Sequence, residues 1–419
     1  METVRGWVWN VRDLGGVKFV LIRVLPNNRV EQVVVKRGNV SDEEFEAVSG
    51  FYPETLIEVH GEWRKTDKYR TGREFVAKKI VVIANSKPLP IDLTGKTPTD
   101  FSVRVKYRYL DIRKPKVSAI FRAKAEIIDA VREFLKKEGF VELQFPIIIA
   151  TATEGGAELF PVVYFEREAF LAQSSQLYKQ SAVPAFGKVF AIAPSFRAEK
   201  SRTRKHLTEF WEFDVEAAFV DREDIMEIEY GMYKSAVQRV LKECEEELEL
   251  LGHQPVVPKK YEKIGYDEAL EILRTHGVEL PWGEDFGASE ERVLCSHFPE
   301  ETPFFITEFP EKIVGFYYKQ DPNDPRYAWR MDFMAPGPRG LELSSGGPRE
   351  NDPESLRKRL EARGLNPESF GWYIEMFEYG FPPHGGFGMG IERLTMYILG
   401  LEKVMEAALY PRTPDILAP

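Results

Sequence analysis

The sequence predicts an α+β protein with two domains, a small all-β domain followed by a larger domain of mixed helices and strands. Residues 1–85 divide into five short runs rich in Val, Ile, Phe and Trp, separated by turn residues. From about residue 104 onward, helical and strand patterns mix with no βαβ repeat. The length of 419 residues exceeds one ordinary hydrophobic core, which favours at least two domains.

The N-terminal runs predict a five-stranded barrel. One helical stretch, residues 42–49, interrupts them. Five short strands with a single helix are typical of the OB-fold, an architecture that commonly binds oligonucleotides, although a small barrel used only for packing would share the pattern. The predicted strands are 4–11, 18–25, 30–35, 56–62 and 75–83.

The domain boundaries follow from composition. A proline-containing segment within residues 86–103 reads as a linker, so we expect a barrel domain at 1–85 and a second domain at 104–419. Residues 221–300 are acidic and predominantly helical in pattern, and we interpret them as an insertion in the second domain.

Bulk composition excludes several classes of protein. No run of about 18 apolar residues is present, which predicts no membrane span, and the charged N-terminus lacks the apolar core of a signal peptide. With only Cys244 and Cys295, a disulfide framework or a cysteine zinc site is not expected, and a cytoplasmic location fits. The net charge of −10 argues against a generic nucleic-acid binder, but a local basic face could still meet a phosphate backbone.

Three fragments carry the chemistry. Residues 195–219 read SFRAEKSRTRKHLTEFWEFDVEAAF, and the alternation over 212–216 predicts a strand with carboxylates on one face. Residues 385–393, GGFGMGIER, form a glycine-rich turn that opens a helix, where a backbone can approach an anionic ligand. Residues 139–146, GFVELQFP, follow an amphipathic stretch at 119–137.

Together these fragments resemble motifs 2, 3 and 1 of class II aminoacyl-tRNA synthetases, in the archaeal-type aspartyl/asparaginyl subgroup, over nearly the whole chain. The resemblance implies an antiparallel catalytic sheet flanked by helices, a homodimer formed through the motif 1 region, and ATP-dependent formation of an aminoacyl-adenylate. In that family the substrate carboxylate attacks the α-phosphate, so positioning and electrostatics dominate catalysis.

The resemblance assigns the nucleotide and metal roles residue by residue. Arg197 would hold the α-phosphate and Glu199 the adenine amine. Arg393 and His206 would meet the terminal phosphates. Magnesium prefers hard oxygen ligands, and the family positions for it are Glu342 and Ser345, with Asp332 nearby.

For the amino acid, the pocket residues favour aspartate. Lys179, in AQSSQLYK, stands where the family meets a side-chain carboxylate. Arg349 would supply a second cation, Asp214 matches the aspartyl pattern, and Glu154 and Gln176 would surround the α-ammonium. Ser345 also belongs to this amino-acid set.

Other phrases look asparaginyl, so asparagine stays open as the alternative substrate. They are KSRTRKHLTEFW (200–211), WGEDFGA (282–288), DPNDPR (321–326) and PRTP (411–414). A paralogue that makes free asparagine with the same adenylate chemistry is a further alternative, but relatives of that kind lack the barrel. A non-catalytic paralogue would have lost some of Arg197, Glu199, Glu342 and Arg393, and all four are present.

The tRNA would meet both domains. Phe19 stands where the family stacks an aromatic on the central anticodon base, although a strand Phe is more commonly barrel core. Gln32 would read the edge of the same base. Trp9 stands where aspartyl enzymes that exclude the asparagine anticodon carry Trp. Arg202 and Arg204 lie in the loop that receives the acceptor end.

Overall fold

The computed structural model describes residues 1–69, 71–151, 159–200 and 205–419. The chain divides into two compact units, Met1–Ala119 together with Pro419, and Ile120–Ala418. The first unit therefore contains the segment 86–103 and the first short helices as well as the barrel.

The barrel of the first unit is closed and has five strands, as the sequence predicts. Its order is β1-β2-β3-β5-β4, and helix α1 (Asp42–Ala47) separates β3 from β4. Ser41 and Glu44 form a reciprocal capping box at the start of α1. The strands are β1 (Glu2–Asp13), β2 (Val17–Val24), β3 (Arg29–Lys36), β4 (Leu56–Lys65) and β5 (Arg73–Ala84).

Alternation along the strands separates the inside of the barrel from its outside. Val20 and Ile22 on β2 are completely buried and join Val33 and Phe75 in the barrel core. Phe19 directly precedes Val20 on β2 and is only half-buried, so by alternation it lies on the outer face. Phe19 therefore differs from most strand phenylalanines, which lie in the core of a barrel.

Two short helices and the start of a long one complete the first unit. Trp9 packs against a small apolar cluster of Ile91, Leu93 and Leu110, which comes from the segment after the barrel and the helix that follows it. The helices are α2 (Phe101–Lys106), α3 (Arg108–Asp111) and α4 (Pro115–Lys137), of which α4 continues into the second unit.

The second unit is built on an eight-stranded sheet in the order β12-β13-β14-β15-β16-β11-β10-β6. The five consecutive pairings from β13 to β10 are antiparallel. The two edge strands are parallel to their neighbours, β12 to β13 and β6 to β10. The sheet strands are β6 (Val141–Glu142), β10 (Lys188–Phe196), β11 (Glu209–Ala218), β12 (Glu262–Gly265), β13 (Phe304–Pro310), β14 (Tyr327–Met334), β15 (Glu342–Pro348) and β16 (His384–Gly390).

A second, three-stranded sheet accompanies the large sheet, together with α4 and nine further α-helices in the described part of the second unit. The α+β class and the antiparallel sheet flanked by helices are thereby confirmed. The small sheet contains β7 (Ile148–Ile149), β8 (Pro161–Tyr164) and β9 (Arg167–Leu171). After α4 the helices are α5 (Gln176–Phe186), α6 (Arg222–Glu243), α7 (Glu245–Leu251), α8 (Tyr266–Thr275), α9 (Ala288–His297), α10 (Pro353–Ala362), α11 (Gly371–Met376), α12 (Ile391–Ile398) and α13 (Val404–Ala407).

The main core lies between helices and one face of the large sheet. Phe213 and Val215 on β11 pack in the same cluster as Val131 of α4 and Val237 of α6. Because side chains alternate along a strand, the intervening residues of β11 point to the opposite face. That opposite face carries the site described below.

The amphipathic stretch at 119–137 lies in helix α4, whose apolar face is buried within this chain. The residues Ile120, Ala123, Ile127, Val131 and Leu135 are buried within this chain, and Ile128 packs against the same cluster. Burial against the chain's own sheet satisfies the helical periodicity completely, so these side chains are not available to a second protomer. Among the described residues, no helix combines the length and apolarity needed to cross a membrane.

Candidate active site

Strand β11 forms the floor of the candidate site with three carboxyl groups on one face. Glu212, Asp214 and Glu216 occupy alternate positions and are at most 5% exposed. The neighbouring strand β16 is nearly free of side chains here: a Cβ on Gly386 would lie 2.0 Å from the Val215 carbonyl oxygen. The glycine run of β16 therefore lets the backbone approach β11 closely beneath the site.

A cavity of about 580 Å³ opens above this floor. Nine of the residues that the sequence predicts for the site line it, and they come from five separate elements and the loop before β11. They are Gln176, Arg197, Glu199, His206, Asp214, Asp332, Glu342, Ser345 and Arg393. The volume suits a small-molecule site of the usual size.

One end of the cavity rests on four buried charges, Lys179, Asp214, Glu216 and Arg349, which we call the amino-acid end. The Lys179 ammonium donates to Asp214 Oδ1 at 3.0 Å and to the Phe387 carbonyl at 2.8 Å, and lies 3.7 Å from Glu216 Oε2. Burial would raise the pKa of the Asp214 carboxyl, but Lys179 and the Ser175 hydroxyl outweigh it and lower the pKa.

Arg349 completes the amino-acid end. Its Nε and Nη2 donate to the two oxygens of Glu216 at 2.9 and 3.1 Å, a bidentate pair. The guanidinium lies behind the rings of Tyr317 and Tyr318, which line the cavity, at 5.4 and 5.1 Å. Within the described part of the chain, the buried Nη1 has no hydrogen-bond acceptor. Lys179 and Arg349 are thus buried beside residues that line the cavity, Asp214 for Lys179 and the two tyrosines for Arg349.

The other end, which we call the phosphate end, contains Glu199, Lys205, His206, Glu342 and Arg393. Arg393 Nη1 donates to Glu342 Oε1 at 3.1 Å, and Lys205 pairs with Glu291. Burial opposes ionisation of Glu342, but Arg393, Lys205 and other nearby cations lower its pKa to about 2. Burial and the charge of Arg393 lower the pKa of His206, which lies 3.8 Å from Glu199 Oε2.

The geometry fits a magnesium ion at Glu342 and Ser345 better than at Asp332. Glu342 is an ionised carboxylate at the cavity wall, and Ser345 lines the same wall with its hydroxyl 3.2 Å from the Tyr318 hydroxyl. Both oxygens of Asp332 already accept from Arg330, at 2.9 and 2.7 Å. In the described residues, no cluster of three or more acidic, His or Cys side chains is preassembled to hold a metal.

Three predicted residues fall outside the description. Glu154, in the expected loop over the amino acid, and Arg202 and Arg204, in the expected acceptor loop, lie outside the described residues. Their roles stay predictions.

Sequence reasoning missed several cavity residues. Asp285, Phe286, Gly287, Ala288 and Glu291 line the cavity from the segment read as an insertion. That segment also carries α6 of the main core, so it is integral to the second unit. The WGEDFGA phrase at 282–288, noted only for its likeness to one subgroup, was the available signal.

The barrel residues separate into two kinds. Phe19 and Gln32 lie on the outer face, where Gln32 Nε2 donates to Glu74 Oε2 at 3.2 Å. Gln32 is opposite Leu21, two residues from Phe19 along β2. Trp9 instead packs partly against the apolar cluster of the first unit, which gives it a packing role whatever else it contacts.

Known proteins resemble the chain along its whole length. Its sequence is 43% identical to an aspartate--tRNA(Asp/Asn) ligase of Methanopyrus kandleri, covering 100% of this chain and 96% of that protein. It is 40% identical to an asparagine--tRNA ligase of Thermococcus kodakarensis, covering 99% and 95%. The structure of asparaginyl-tRNA synthetase from Pyrococcus horikoshii complexed with asparaginyl-adenylate matches with a TM-score of 0.91 and 39% identity, covering 100% and 96%.

Residues 100–414 match the family of class II tRNA synthetases (D, K and N). That range contains the three fragments on which the resemblance was based, and the cavity gathers residues from two of them. The chain belongs to the class II tRNA synthetases of the D, K and N group, and it is therefore an aminoacyl-tRNA ligase.

Proposed function

We propose that this ligase activates aspartate with ATP and transfers it to tRNA. The observation that carries the choice of amino acid is the buried Arg349, whose Nη1 lacks an acceptor beside the buried ammonium of Lys179. A carboxylate that reached this point would accept from both cations. Charge-assisted hydrogen bonds of this kind are about twice as strong as neutral ones.

The hydrogen-bond donors of Arg349 support the same substrate. The two positive charges of Lys179 and Arg349 are offset by the carboxylates Asp214 and Glu216, so the donors and not the net charge favour aspartate. Arg349 donates to Glu216 through only two of its three nitrogens, Nε and Nη2. An anionic substrate side chain would supply a hydrogen-bond acceptor for the third nitrogen, Nη1. A site built around buried donors rejects an analogue that leaves them unpaired, by factors that reach about 10⁴.

Asparagine has one observation in its favour. Asp214 lines the cavity as an ionised carboxylate, and it could accept a hydrogen bond from a side-chain amide. Lys179, however, already donates to Asp214, which weakens Asp214 as an acceptor for a second donor. We therefore rank asparagine second.

The phosphate end supports the ATP roles. Arg197 and Arg393 enter the cavity from β10 and its following loop and from α12, so two cations face the space where phosphates must lie. A neutral His206 can donate one ring N–H to a terminal phosphate, and Glu199 can accept from the adenine amine. The substrate carboxylate attacks the α-phosphate, so these residues hold two anions together and no residue has to remove a proton.

Magnesium, held by Glu342 and Ser345, would neutralise phosphate charge during the attack. With the metal bound, Arg393 would exchange its contact with Glu342 for the phosphates. Asp332 would contribute indirectly, by fixing Arg330 at the cavity wall.

The tRNA would engage the outer face of the barrel through Phe19 and Gln32, and the acceptor loop through Arg202 and Arg204. Trp9 would influence anticodon choice from the position where it packs. Glu154 and Gln176 would receive the α-ammonium of the amino acid.

The enzyme would work in the cytoplasm as a homodimer whose interface uses surfaces other than the apolar face of α4, such as the exposed Ile148 and Val163 of the small sheet.

Amino-acid-dependent pyrophosphate exchange tests the proposal. The unmodified enzyme is assayed with aspartate and with asparagine over the same concentration range. We expect exchange with aspartate and a preference over asparagine of at least about 100-fold, because the buried Nη1 of Arg349 would be left without an anionic acceptor. Preference for asparagine would overturn the aspartate assignment and leave the ligase assignment intact.

A further inference from the structure

The three carboxyl groups of the β11 floor differ in their partners, and Glu212 is the exception. Glu216 pairs with Arg349, and Asp214 pairs with Lys179. Glu212 accepts a hydrogen bond at Oε1 from the Ser195 hydroxyl and forms an ion pair with no described cation. It is 5% exposed and lines the cavity. None of the roles assigned above uses it.

The second oxygen of Glu212 lies beside Gly388, another residue that lines the cavity. A Cβ built on Gly388 would lie 3.3 Å from Glu212 Oε2 and 3.4 Å from Asp214 Oδ1. Since Gly388 has no side chain and lines the cavity, nothing from that position covers either carboxyl. Oε2 is therefore the atom of Glu212 that a small ligand on this floor would meet.

The position along β11 indicates which part of the amino acid comes near. Residues 212 and 214 lie about 7 Å apart on one face of the strand. An amino acid whose side chain reaches Lys179 and Arg349 extends from Asp214 toward Glu212 and Arg197. Its α-carboxylate must approach the α-phosphate near Arg197, so it passes over Glu212. An ionised Glu212 would repel it.

We propose that Glu212 is a substrate-binding residue that keeps a proton on Oε2 and donates it in a hydrogen bond to the α-carboxylate of the amino acid. This inference rests on the proposed adenylate-forming function. It applies to aspartate and asparagine alike, because the α-carboxylate is common to both. No proton is transferred; the bound carboxylate receives a donor in place of a like charge.

The surroundings favour this protonation state. Burial and the negative charge of Asp214 raise the pKa of Glu212 to about 8. Arg197, the Ser195 hydroxyl and Lys179 pull in the opposite direction but do not outweigh them. On α12, Glu392 is engaged by Lys124 and by the Trp211 amide. Since the folded-state pKa is raised, Glu212 holds its proton below pH 8 and loses it above.

The test compares Glu212→Gln and Glu212→Ala with the unmodified enzyme in pyrophosphate exchange between pH 6.5 and about 9.5. The amide of Gln donates a hydrogen bond at every pH, so we expect Glu212→Gln to stay within about fivefold of the unmodified KM at pH 7. Glu212→Ala should raise KM by roughly 10- to 100-fold, the effect of one hydrogen bond to a charged group.

The pH profile separates this role from a structural one. The ratio of KM for the unmodified enzyme to KM for Glu212→Gln should be flat below pH 8 and rise up to about tenfold per unit above it. Titration of the free amino acid cancels in this ratio. A flat ratio throughout, or a loss in Glu212→Gln at pH 7 as large as in Glu212→Ala, would overturn the proposal.

The proposed function fails independently of this inference. If the unmodified enzyme exchanges with asparagine only, the same ratio is measured with asparagine. Thermal unfolding of both variants identifies misfolding, and Glu212→Gln, which is nearly isosteric, keeps the comparison available if Glu212→Ala does not fold.

Discussion

The two ends of the cavity hold the same kinds of side chain in different ways. At the amino-acid end, the side chains of Lys179, Asp214, Glu216 and Arg349 are 0–1% exposed and pair with one another. At the phosphate end, those of Glu199, Lys205, His206, Glu342 and Arg393 are 12–26% exposed. The side chains of the first set are excluded from solvent and their charges balance, whereas the side chains of the second set are partly exposed to solvent.

This difference matches what each end would do in the proposed function. Discrimination between amino acids depends on unpaired buried groups being costly, which requires exclusion of water. Phosphates and their counterions arrive hydrated, and cations that hold them must be able to exchange partners. Arg393 and Lys205 contact the carboxylates of Glu342 and Glu291, and the phosphates of a nucleotide could replace these carboxylates as partners.

The largest effect should come from the buried end. Lys179→Leu leaves Asp214 without its cation, while Glu216 keeps Arg349. Removing one partner of a buried pair commonly costs about 3–5 kcal/mol. We expect aspartate-dependent exchange to fall about 100- to 4,000-fold. We also expect the variant to be less stable to heat and to show some activity with asparagine. Lys242→Leu, at an exposed lysine of α6, is the control and should change neither property. Full aspartate activity in Lys179→Leu would show that the amino-acid end does not bind the side chain of the substrate.

The phosphate end should lose catalysis without losing stability. Arg197→Ala and Arg393→Ala should each reduce exchange by at least about 100-fold, the effect of one lost transition-state cation. Because the Arg393 side chain is 19% exposed, its removal should leave the melting temperature within a few degrees. Arg326→Ala removes an exposed arginine paired with Asp324 and serves as the matched control. Near-normal exchange in either site variant would exclude that residue from the nucleotide site.

The smallest effect should appear outside the cavity. Phe19→Ala should weaken tRNA charging by about 5- to 150-fold, equivalent to about 1–3 kcal/mol for one stacked base, and leave pyrophosphate exchange unchanged. Ile83→Ala, at a half-exposed apolar residue of β5, is the control for loss of outer-face surface. Equal loss of charging and exchange in Phe19→Ala would indicate a folding defect instead of lost recognition.

Much of the fold could be predicted because the spacing of apolar and polar residues along the sequence indicates strands and helices locally. Alternation predicted the barrel strands to within a few residues, and the 212–216 pattern correctly predicted carboxyls on one face of β11. The helical pattern of α4 was equally clear, but periodicity states only that a face is buried. It does not state what buries it, and here the chain's own sheet does.

The sequence by itself determined the family, the barrel, the catalytic strands and nine of the residues that line the cavity, because strand alternation and short motifs depend on neighbours along the chain. Tertiary structure alone decided which charges meet. It paired Lys179 with Asp214, Arg349 with Glu216 and Arg330 with Asp332, and it brought Glu291 to the phosphate end. Among the described residues it also gave Glu212 a hydroxyl partner, Ser195, and no ion pair. Such pairings join strands and helices distant in sequence, and the ionisation of each carboxyl depends on burial and on the partners that only folding supplies.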